Sequence, residues 1–232
     1  MKSKITILGL GPGSKDYLTI SAIDKMKSAD ILYLRTEKHP VVDYLRDIGI
    51  KTESFDSVYD EKDSFDEVYS SIVNKLLEYA KGESIVYAVP GNPFVAENTV
   101  NILHDLAPER DVELEVIPGV SFVDAIINLT KYDPVNGLKI VDAFQLDKQL
   151  DDTSSAVIIT QVYDRYIASN IKLKLMELYE DEYEIAVIKG AGIPGIERIE
   201  YIPLYELDRI AWLDHLCSIF IPISSNNKVK TK

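Results

Sequence analysis

The stretch Ile5-Thr6-Ile7-Leu8-Gly9-Leu10-Gly11-Pro12-Gly13 decides the fold, because it joins a short apolar run to a glycine-proline turn. Two later segments have the same form. Pro90-Gly91-Asn92-Pro93 follows the run Ile85–Val89, and Pro118-Gly119-Val120-Ser121 follows Leu114–Ile117. Each turn precedes a helix-like pattern, which indicates the carboxyl end of a strand. Ligands bind at that edge of open α/β sheets, so the three turns predict one shared ligand site.

Strand-like and helix-like segments alternate along the first part of the chain. This alternation predicts an α/β fold with a mainly parallel sheet that helices cover on both faces. The expected strands lie at 4–8, 30–34, 84–89 and 112–117. The expected helices lie at 19–29, 41–48, from 64 to near 82, 94–105 and 121–130.

The helix that begins at Ser64 has the clearest start signal. Ser64-Phe65-Asp66-Glu67 has the form of a capping box, in which a serine and a glutamate satisfy the first free amide groups of a helix. Helical periodicity predicts one apolar face on this helix. The residues expected on that face are Phe65, Val68, Ile72, Leu76 and Tyr79.

The segment Tyr132–Gly137 breaks the alternation and predicts a domain boundary. We expect an N-terminal α/β domain over residues 1–132, a C-terminal mixed α/β domain over 138–224 and a disordered tail over 225–232. The second domain should have a mixed sheet, because its strands outnumber its helices. Its expected strands lie at 138–144, 156–161, 184–189, 197–202 and 217–222, with a helix at 164–180.

Composition excludes several classes of protein. The 232 residues carry a formal net charge of −13, which opposes a large nucleic-acid footprint, so no DNA partner is expected. No apolar run approaches the ~20 residues needed to span a bilayer, and the start of the chain lacks the pattern of a signal peptide, so no membrane association is expected. Cys217 is the single cysteine, which rules out a disulfide within the chain and favours the cytoplasm.

The first turn invites a comparison with the dinucleotide-binding fingerprint. Gly9 and Gly11 have its spacing, but Ser14 replaces the third glycine, and Pro12 lacks a backbone N–H that could face a pyrophosphate. Glu37, near the end of the second strand, is where a ribose-binding acid could lie. A nicotinamide-dependent oxidoreductase is therefore kept as a weak alternative.

Other reactive side chains have plain interpretations. The three histidines, His39, His104 and His215, are far apart in sequence and lack metal-ligand spacing, so we expect surface or core roles and no metal site. The acidic run from Glu177 to Glu184 fits a solvated helix end. Cys217 lies in an apolar strand pattern and is expected to be an inert buried thiol.

Together the three turns resemble those of the tetrapyrrole methylase family, which uses S-adenosylmethionine (SAM). That family has a Gly-x-Gly-Pro-Gly loop, a Gly-Asp-Pro-like turn and a Val-Ile-Pro-Gly-Val-Ser-like segment after its first, fourth and fifth strands. The chain is most similar to the methylase-like part of bacterial proteins that are fused to a MazG-type nucleotide pyrophosphohydrolase. The segments that carry this similarity are Tyr87–Pro93, Gly119–Phe122, Asp133–Gly137 and His215–Ser218.

The resemblance implies two α/β domains, SAM held in the cleft between them, and a homodimer. The residues it places at the cofactor are Leu10, Gly91, Asn92, Pro93, Val95, Ser121, Phe122, Val162 and Ala191. It places Gly11, Pro12 and Gly13 toward the methyl acceptor. Many members have aspartate where this chain has Asn92, and asparagine brings no negative charge toward the cationic cofactor.

These expectations lead to two main hypotheses. The first is a SAM-dependent methyltransferase that releases S-adenosylhomocysteine (SAH) and methylates an unidentified small molecule, for which a tetrapyrrole is one candidate. No catalytic residue is predicted, because the activated cofactor supplies the difficult chemistry. Eight-carboxylate substrates suit the acidic chain poorly, unless Arg35, Lys131, Lys139 and Arg165 form a basic lining. The second hypothesis is a non-catalytic SAM-binding module that regulates a fused or partner MazG-type hydrolase.

Overall fold

The computed structural model describes residues 2–62 and 64–223. The chain divides into two compact units, Met1–Phe122 and Val123–Lys232. The predicted boundary at Tyr132–Gly137 comes ten residues after this division, and the predicted tail over 225–232 lies outside the described residues.

The first unit is built on five parallel strands. They are β1 (Lys4–Gly9), β2 (Leu32–Leu34), β3 (Thr52–Ser54), β4 (Ser84–Val89) and β5 (Glu113–Ile117). Their order across the sheet is β3-β2-β4-β1-β5, and every neighbouring pair is parallel. The register places Gly9 beside Val89 and Leu8 beside Ile117, so the turns after β1, β4 and β5 leave the same edge. The mainly parallel sheet predicted from the alternation is therefore confirmed.

Two apolar layers explain why the central strands are buried. Beyond their first residues, β1 and β4 are buried throughout, which is typical of parallel strands covered on both faces. Ile5, Ile7 and Tyr87 belong to one core cluster, and Leu8 and Ala88 belong to another. The helices of this unit are α1 (Ile20–Ser28), α2 (Val41–Asp47), α3 (Asp56–Glu61), α4 (Phe65–Tyr79) and α5 (Asn98–Leu106).

The predicted start of α4 is confirmed, but part of its predicted face is wrong. Ser64 Oγ accepts a hydrogen bond from the backbone N–H of Glu67. The buried residues of α4 are Val68, Ile72, Val73, Leu76 and Leu77. Phe65 and Tyr79 are 63% and 42% exposed, because they occupy the first and last helical positions, where their rings stack on Tyr69 and Tyr33 instead.

Two helices differ clearly in their bounds from the sequence expectation, and two elements of the first unit are absent from it. The helix expected at 94–105 begins at Asn98, because the turn after β4 extends through Ala96, whose φ is +56°. The helix expected at 164–180 ends at Leu175. The strand β3 and the helix α3 were not predicted at all, since the three strand residues Thr52–Ser54 have no apolar pattern.

The second unit has the mixed sheet that the sequence predicted. Its helices are α6 (Phe122–Thr130), α7 (Leu146–Gln149) and α8 (Arg165–Leu175), and its strands are β6 (Leu138–Asp142), β7 (Ala156–Thr160), β8 (Glu184–Lys189), β9 (Arg198–Pro203) and β10 (Cys217–Ile221). The order is β6-β7-β10-β8-β9; β6 pairs with β7 in parallel, and the other pairs are antiparallel. Val157, Ile159 and Ile219 lie in its core with Ile171 of α8.

The longest helix in the described part of the chain is α4, with 15 residues. None of the helices formed by residues 2–62 and 64–223 has the length and apolar character that crossing a membrane requires.

Candidate functional site

The turns after β1 and β4 are joined by a reciprocal pair of backbone hydrogen bonds. The N–H of Gly91 donates to the carbonyl oxygen of Gly11 at 2.8 Å, and the N–H of Gly11 donates to that of Gly91 at 3.2 Å. Both residues have positive φ values, +75° for Gly11 and +66° for Gly91, which glycine adopts without steric cost. The two turns therefore form one backbone unit just beyond the sheet.

The third turn packs against this unit through Gly9 and Gly119. A Cβ atom placed on Gly9 would lie 2.7 Å from the backbone N and Cα of Gly119, and one placed on Gly119 would lie 2.7 Å from the Cα of Gly9. Each would also collide with the carbonyl oxygen of Gly91. The backbones of three turns thus meet without an intervening side chain, and this contact requires glycine at both positions.

Asn92 links the second turn to the third. Its Nδ2 donates to the carbonyl oxygen of Gly119 at 2.9 Å, and its Oδ1 accepts from the backbone N–H of Phe94 at 3.0 Å. An aspartate could accept the second bond but could not donate the first, so its carboxylate would face a carbonyl oxygen. Asparagine therefore bonds to both sides of the joined turns, which the sequence comparison with Gly-Asp-Pro turns does not reveal.

The side chain of His39 contacts the first turn at the carbonyl oxygen of Gly11. Its Nε2 lies 3.1 Å from the carbonyl oxygen of Gly11, and the side chain is only 8% exposed. Burial lowers the pKa of His39 to about 4, so the ring is neutral at physiological pH. The expected surface or core role for His39 includes this buried position, but no local signal links the residue to Gly11, 28 residues away.

An ion pair of the buried Glu97 with the partly buried Arg35 lies just beyond the end of β2. Arg35 Nε is 3.0 Å from Glu97 Oε2, at an angle outside hydrogen-bond geometry, and a guanidinium N–H of Arg35 donates to the hydroxyl of Tyr59 at 2.9 Å. Glu97 Oε1 accepts from the hydroxyl of Thr99 at 2.7 Å, and that hydroxyl lies 2.9 Å from the hydroxyl of Tyr87. Burial opposes the charge of Arg35, but Glu97 and Tyr59 outweigh it and raise its pKa. The cation is thus balanced within the first unit.

Three of the four basic residues considered as an acceptor lining bond to other groups, and the fourth, Lys131, is exposed. Arg35 pairs with Glu97, and Lys139 pairs with Asp152 at 2.6 Å. Arg165 donates from Nε to the backbone carbonyl of Asp208.

The predicted cofactor residues of the first unit lie around the joined turns. Leu10 is fully buried, and its N–H donates to the carbonyl oxygen of Val89 at 2.9 Å. Val95 closes the second turn by donating its N–H to the carbonyl oxygen of Asn92. The other predicted cofactor residues follow β4 and β5 at the same edge; they are Gly91, Asn92, Pro93, Ser121 and Phe122. The residues predicted to face the methyl acceptor, Gly11, Pro12 and Gly13, follow β1 at that edge.

The two predicted residues of the second unit also share a sheet edge. Val162 follows β7 and donates its N–H to the carbonyl oxygen of Cys217, at the start of β10. Ala191 follows β8, directly after Gly190, whose N–H donates to the carbonyl oxygen of Leu216. Because β7 and β8 both run antiparallel to β10, Val162 and Ala191 flank the beginning of the same strand.

Other reactive groups have structural or solvent contacts. Burial raises the pKa of the Cys217 thiol to about 11, which keeps it protonated and unreactive. Glu37, the possible ribose-binding acid, forms an exposed pair with Arg46 at 2.8 Å. Within the described ranges 2–62 and 64–223, His, Cys, Asp and Glu side chains form no group of three suited to a metal ion.

An open depression of about 650 Å³ lies along the exposed face of α4. It is lined by the polar and charged residues Lys62, Glu67, Ser70, Ser71, Asn74, Lys75 and Glu78. None of these residues belongs to the glycine turns or to the ion pair of Arg35 and Glu97. We therefore place the candidate site at the turns, where three strand ends meet.

The α/β architecture and the three joined turns define a methylase fold, and residues 4–208 match the family of tetrapyrrole (corrin/porphyrin) methylases. The chain belongs to this family, whose members are typically SAM-dependent methyltransferases.

Individual relatives agree with membership of this family. The chain is 42% identical over 229 residues to the uncharacterized protein YabN of Bacillus subtilis, covering 99% of this chain and 47% of YabN. It is 33% identical over 122 residues to uroporphyrinogen-III C-methyltransferase of the same bacterium, covering 51% of this chain and 45% of that enzyme. The chain thus spans about half the length of these two relatives. The crystal structure of uroporphyrin-III-C-methyltransferase from Thermus thermophilus shares the fold, with a TM-score of 0.74, 16% identity and coverage of 96% and 93% of the two chains.

Proposed function

We propose that the chain is a SAM-dependent methyltransferase with an unidentified small-molecule acceptor. The observation that carries this proposal is the contact among Gly9, Gly91 and Gly119, which joins the backbones of three turns at one edge of the sheet. A Cβ atom on Gly91 would meet no atom within 4 Å, so a ligand can approach the backbone there, at the sheet edge where α/β proteins bind ligands.

The proposed cofactor contacts are Leu10, Gly91, Asn92, Pro93, Val95, Ser121 and Phe122, together with Val162 and Ala191 of the second unit. The proposed acceptor-facing residues are Gly11, Pro12 and Gly13. Both polar atoms of the Asn92 side chain already bond within the protein, so backbone groups of the turns are the expected partners of the cofactor. A cofactor held by backbone groups is positioned by the fold itself rather than by a charged side chain.

SAM, when bound, supplies a methyl group on a sulfonium, which is electrophilic enough to be transferred without covalent help from the protein. The protein's part is to hold the acceptor in line with that methyl group and to exclude water, which alone can lower the barrier by several kcal/mol. The rigid, mutually bonded turns suit this role, because their geometry is fixed before the ligand arrives.

The acceptor is proposed to carry fewer carboxylates than an eight-carboxylate tetrapyrrole. Arg35 is balanced by Glu97, Lys139 by Asp152, and the whole chain has a formal net charge of −13. A polyanionic acceptor would therefore meet an unfavourable field unless a partner chain supplied cations. A tetrapyrrole with fewer charges remains within the proposal.

The experiment that tests this function is methyl transfer from methyl-labelled SAM to a small-molecule extract of the source cells. We expect label in one chromatographic peak, with SAH formed in equal amount, and loss of both signals in a Gly119→Ala variant. SAM binding without any transfer would contradict the enzyme and favour the second candidate below.

The second candidate is a SAM-binding module that regulates a MazG-type nucleotide pyrophosphohydrolase. This chain covers 47% of YabN, so that relative has room for a further domain. The candidate predicts that SAM changes the rate of nucleotide pyrophosphate hydrolysis by a fused or partner hydrolase while the methyl group stays on the cofactor. A SAM-independent hydrolysis rate would exclude it.

The proposal includes a homodimer in the cytoplasm. A single, buried cysteine fits a reducing compartment. Light scattering of the purified chain tests the dimer, for which we expect about twice the mass of the 26.1 kDa chain. A mass near that of one chain would exclude it.

A further inference from the structure

The carbonyl oxygen of Gly11 accepts two hydrogen bonds from residues distant in sequence. The N–H of Gly91 donates to it at 2.8 Å, and Nε2 of His39 lies 3.1 Å away. A carbonyl oxygen only accepts, so Nε2 must carry the proton of the ring. Both lone pairs of this oxygen are therefore used, and the orientation of the Gly11 peptide group is fixed from two sides.

The backbone of His39 is bonded to the start of α2. The carbonyl oxygen of His39 accepts from the N–H of Val42 at 3.0 Å, in the first turn of α2. Val41, Val42 and Leu45 anchor α2 in the core of the first unit. A side chain fixed to α2 thus supports a turn that follows β1.

Placing His39 against Gly11 has an energetic cost, which the second ring nitrogen, Nδ1, shows. Nδ1 of His39 is buried and has no hydrogen-bond partner, and a buried acceptor left unpaired destabilises a fold. Burial also lowers the pKa of the ring to about 4, with a smaller effect in the same direction from Arg35. A purely apolar side chain would avoid both costs, so the contact with Gly11 is what the histidine contributes.

The charged surroundings of His39 are few. Arg35 at the end of β2 acts on the ring, and that cation is paired with Glu97 at the start of α5 and bonded to Tyr59 of α3. Within its own loop, Glu37 and Lys38 are exposed. No carboxylate among the described residues bonds to the ring, so the neutral form is the one the fold holds.

We propose that His39 is a positioning residue, which sets the geometry of the Gly11–Gly13 turn and, through the Gly11–Gly91 pair, of the second turn. The inference rests on the proposed function for its consequence, since these turns are the proposed contacts of acceptor and cofactor. His39 does not touch either ligand in this account. It acts by keeping the carbonyl oxygen of Gly11 turned inward.

The first test needs no ligand and uses amide hydrogen exchange at Gly91, whose N–H bonds to the same carbonyl oxygen. In His39→Phe we expect Gly91 to exchange roughly fivefold to tenfold faster than in the wild type, since one hydrogen bond of typical strength is lost. His39→Gln can place an amide N–H near the position of Nε2 and should restore most of the protection. The matched control is His104→Gln, at an exposed histidine of α5.

The second test reads the ring directly by long-range proton–nitrogen NMR. We expect His39 as the Nε2–H tautomer, with signals that do not shift between pH 5.5 and 8. A ring protonated on Nδ1, or one that titrates within that range, would overturn the proposal. Unchanged Gly91 exchange in a folded His39→Phe variant would overturn it as well.

The third test connects the contact to ligand binding by calorimetry with SAH. His39→Phe should weaken SAH binding about tenfold, and His39→Gln should bind within about threefold of the wild type. Equal affinities in all three proteins would refute the effect of His39 on the site. If the wild type itself does not bind SAH, the proposed function fails, while the exchange and NMR tests still decide the role of His39.

Discussion

The contact among the three glycine turns predicts that Gly119 tolerates no side chain. In Gly119→Ala, the new Cβ would lie 2.7 Å from the Cα of Gly9 and would also collide with the carbonyl oxygen of Gly91. Both neighbours are backbone atoms at the ends of paired strands, so neither can rotate away. Overpacking of this kind costs about 1–3 kcal/mol and more where backbone must move. We expect a loss of about 3 kcal/mol, or roughly 6–12 °C in Tm.

Gly91→Ala is the matched comparison, because it tests a different property of the same cluster. A Cβ on Gly91 would meet no atom within 4 Å, so only its φ of +66° opposes an alanine. That conformation costs an ordinary residue about 1–2 kcal/mol. Urea unfolding followed by far-UV circular dichroism measures both variants, and a loss in Gly119→Ala no larger than in Gly91→Ala would refute the packing argument.

Three further outcomes follow from the site. Asn92→Asp should lower the free energy of unfolding by about 1–3 kcal/mol, because the donor to the Gly119 carbonyl is replaced by an acceptor; equal urea midpoints for the two proteins would refute this. Glu97→Ala should lower the free energy of unfolding by about 3–5 kcal/mol, because it leaves the charge of Arg35 without its partner. Adding Arg35→Met should recover part of this loss. A double variant no more stable than Glu97→Ala would contradict this. As the pH falls from 6.5 to 4, His39 takes up a proton in the unfolded chain but stays largely neutral in the folded chain. The free energy of unfolding should therefore drop by about 3 kcal/mol in the wild type and by less in His39→Gln. Parallel pH profiles of the two proteins would show that His39 does not contribute.

The backbone of the site could be predicted from the sequence, because each part of it is local. A glycine-proline turn after an apolar run marks a strand end, and parallel strands place their carboxyl ends at one edge. The pattern therefore predicts that Gly9–Gly13, Pro90–Pro93 and Pro118–Ser121 lie together, and the contacts among Gly9, Gly91 and Gly119 confirm it. The cofactor roles of individual residues in these turns stay predictions.

The side chains that support the turns could not be predicted, because their partners are distant in sequence. His39 reaches Gly11 over 28 positions, and Arg35 pairs with Glu97 across the unit. Nothing in the residues around His39 distinguishes a histidine that bonds to the Gly11 carbonyl from a histidine on the surface. The error at Phe65 has a similar origin, since periodicity does not show where the core ends along a helix.

The two hydrogen bonds of the Asn92 side chain give this residue a structural role that the sequence does not reveal. Compared with Gly-Asp-Pro turns, the residue suggested only a lost charge and weaker cofactor binding. The structure shows that its amide donates to Gly119 and accepts from Phe94, which a carboxylate could not do at both ends. Asparagine therefore contributes to the joining of the turns.

The central claim is that the three joined turns bind SAM, and calorimetric titration of the purified protein with SAH tests it most directly. NAD serves as the comparison ligand, because Gly9 and Gly11 have part of a dinucleotide spacing. We predict saturable binding of SAH, no heat with NAD, and stabilisation of roughly 2.7 kcal/mol when SAH is present at about 100 times its dissociation constant. Binding of NAD with no response to SAH or SAM would contradict the account, because the turns would then serve a different ligand.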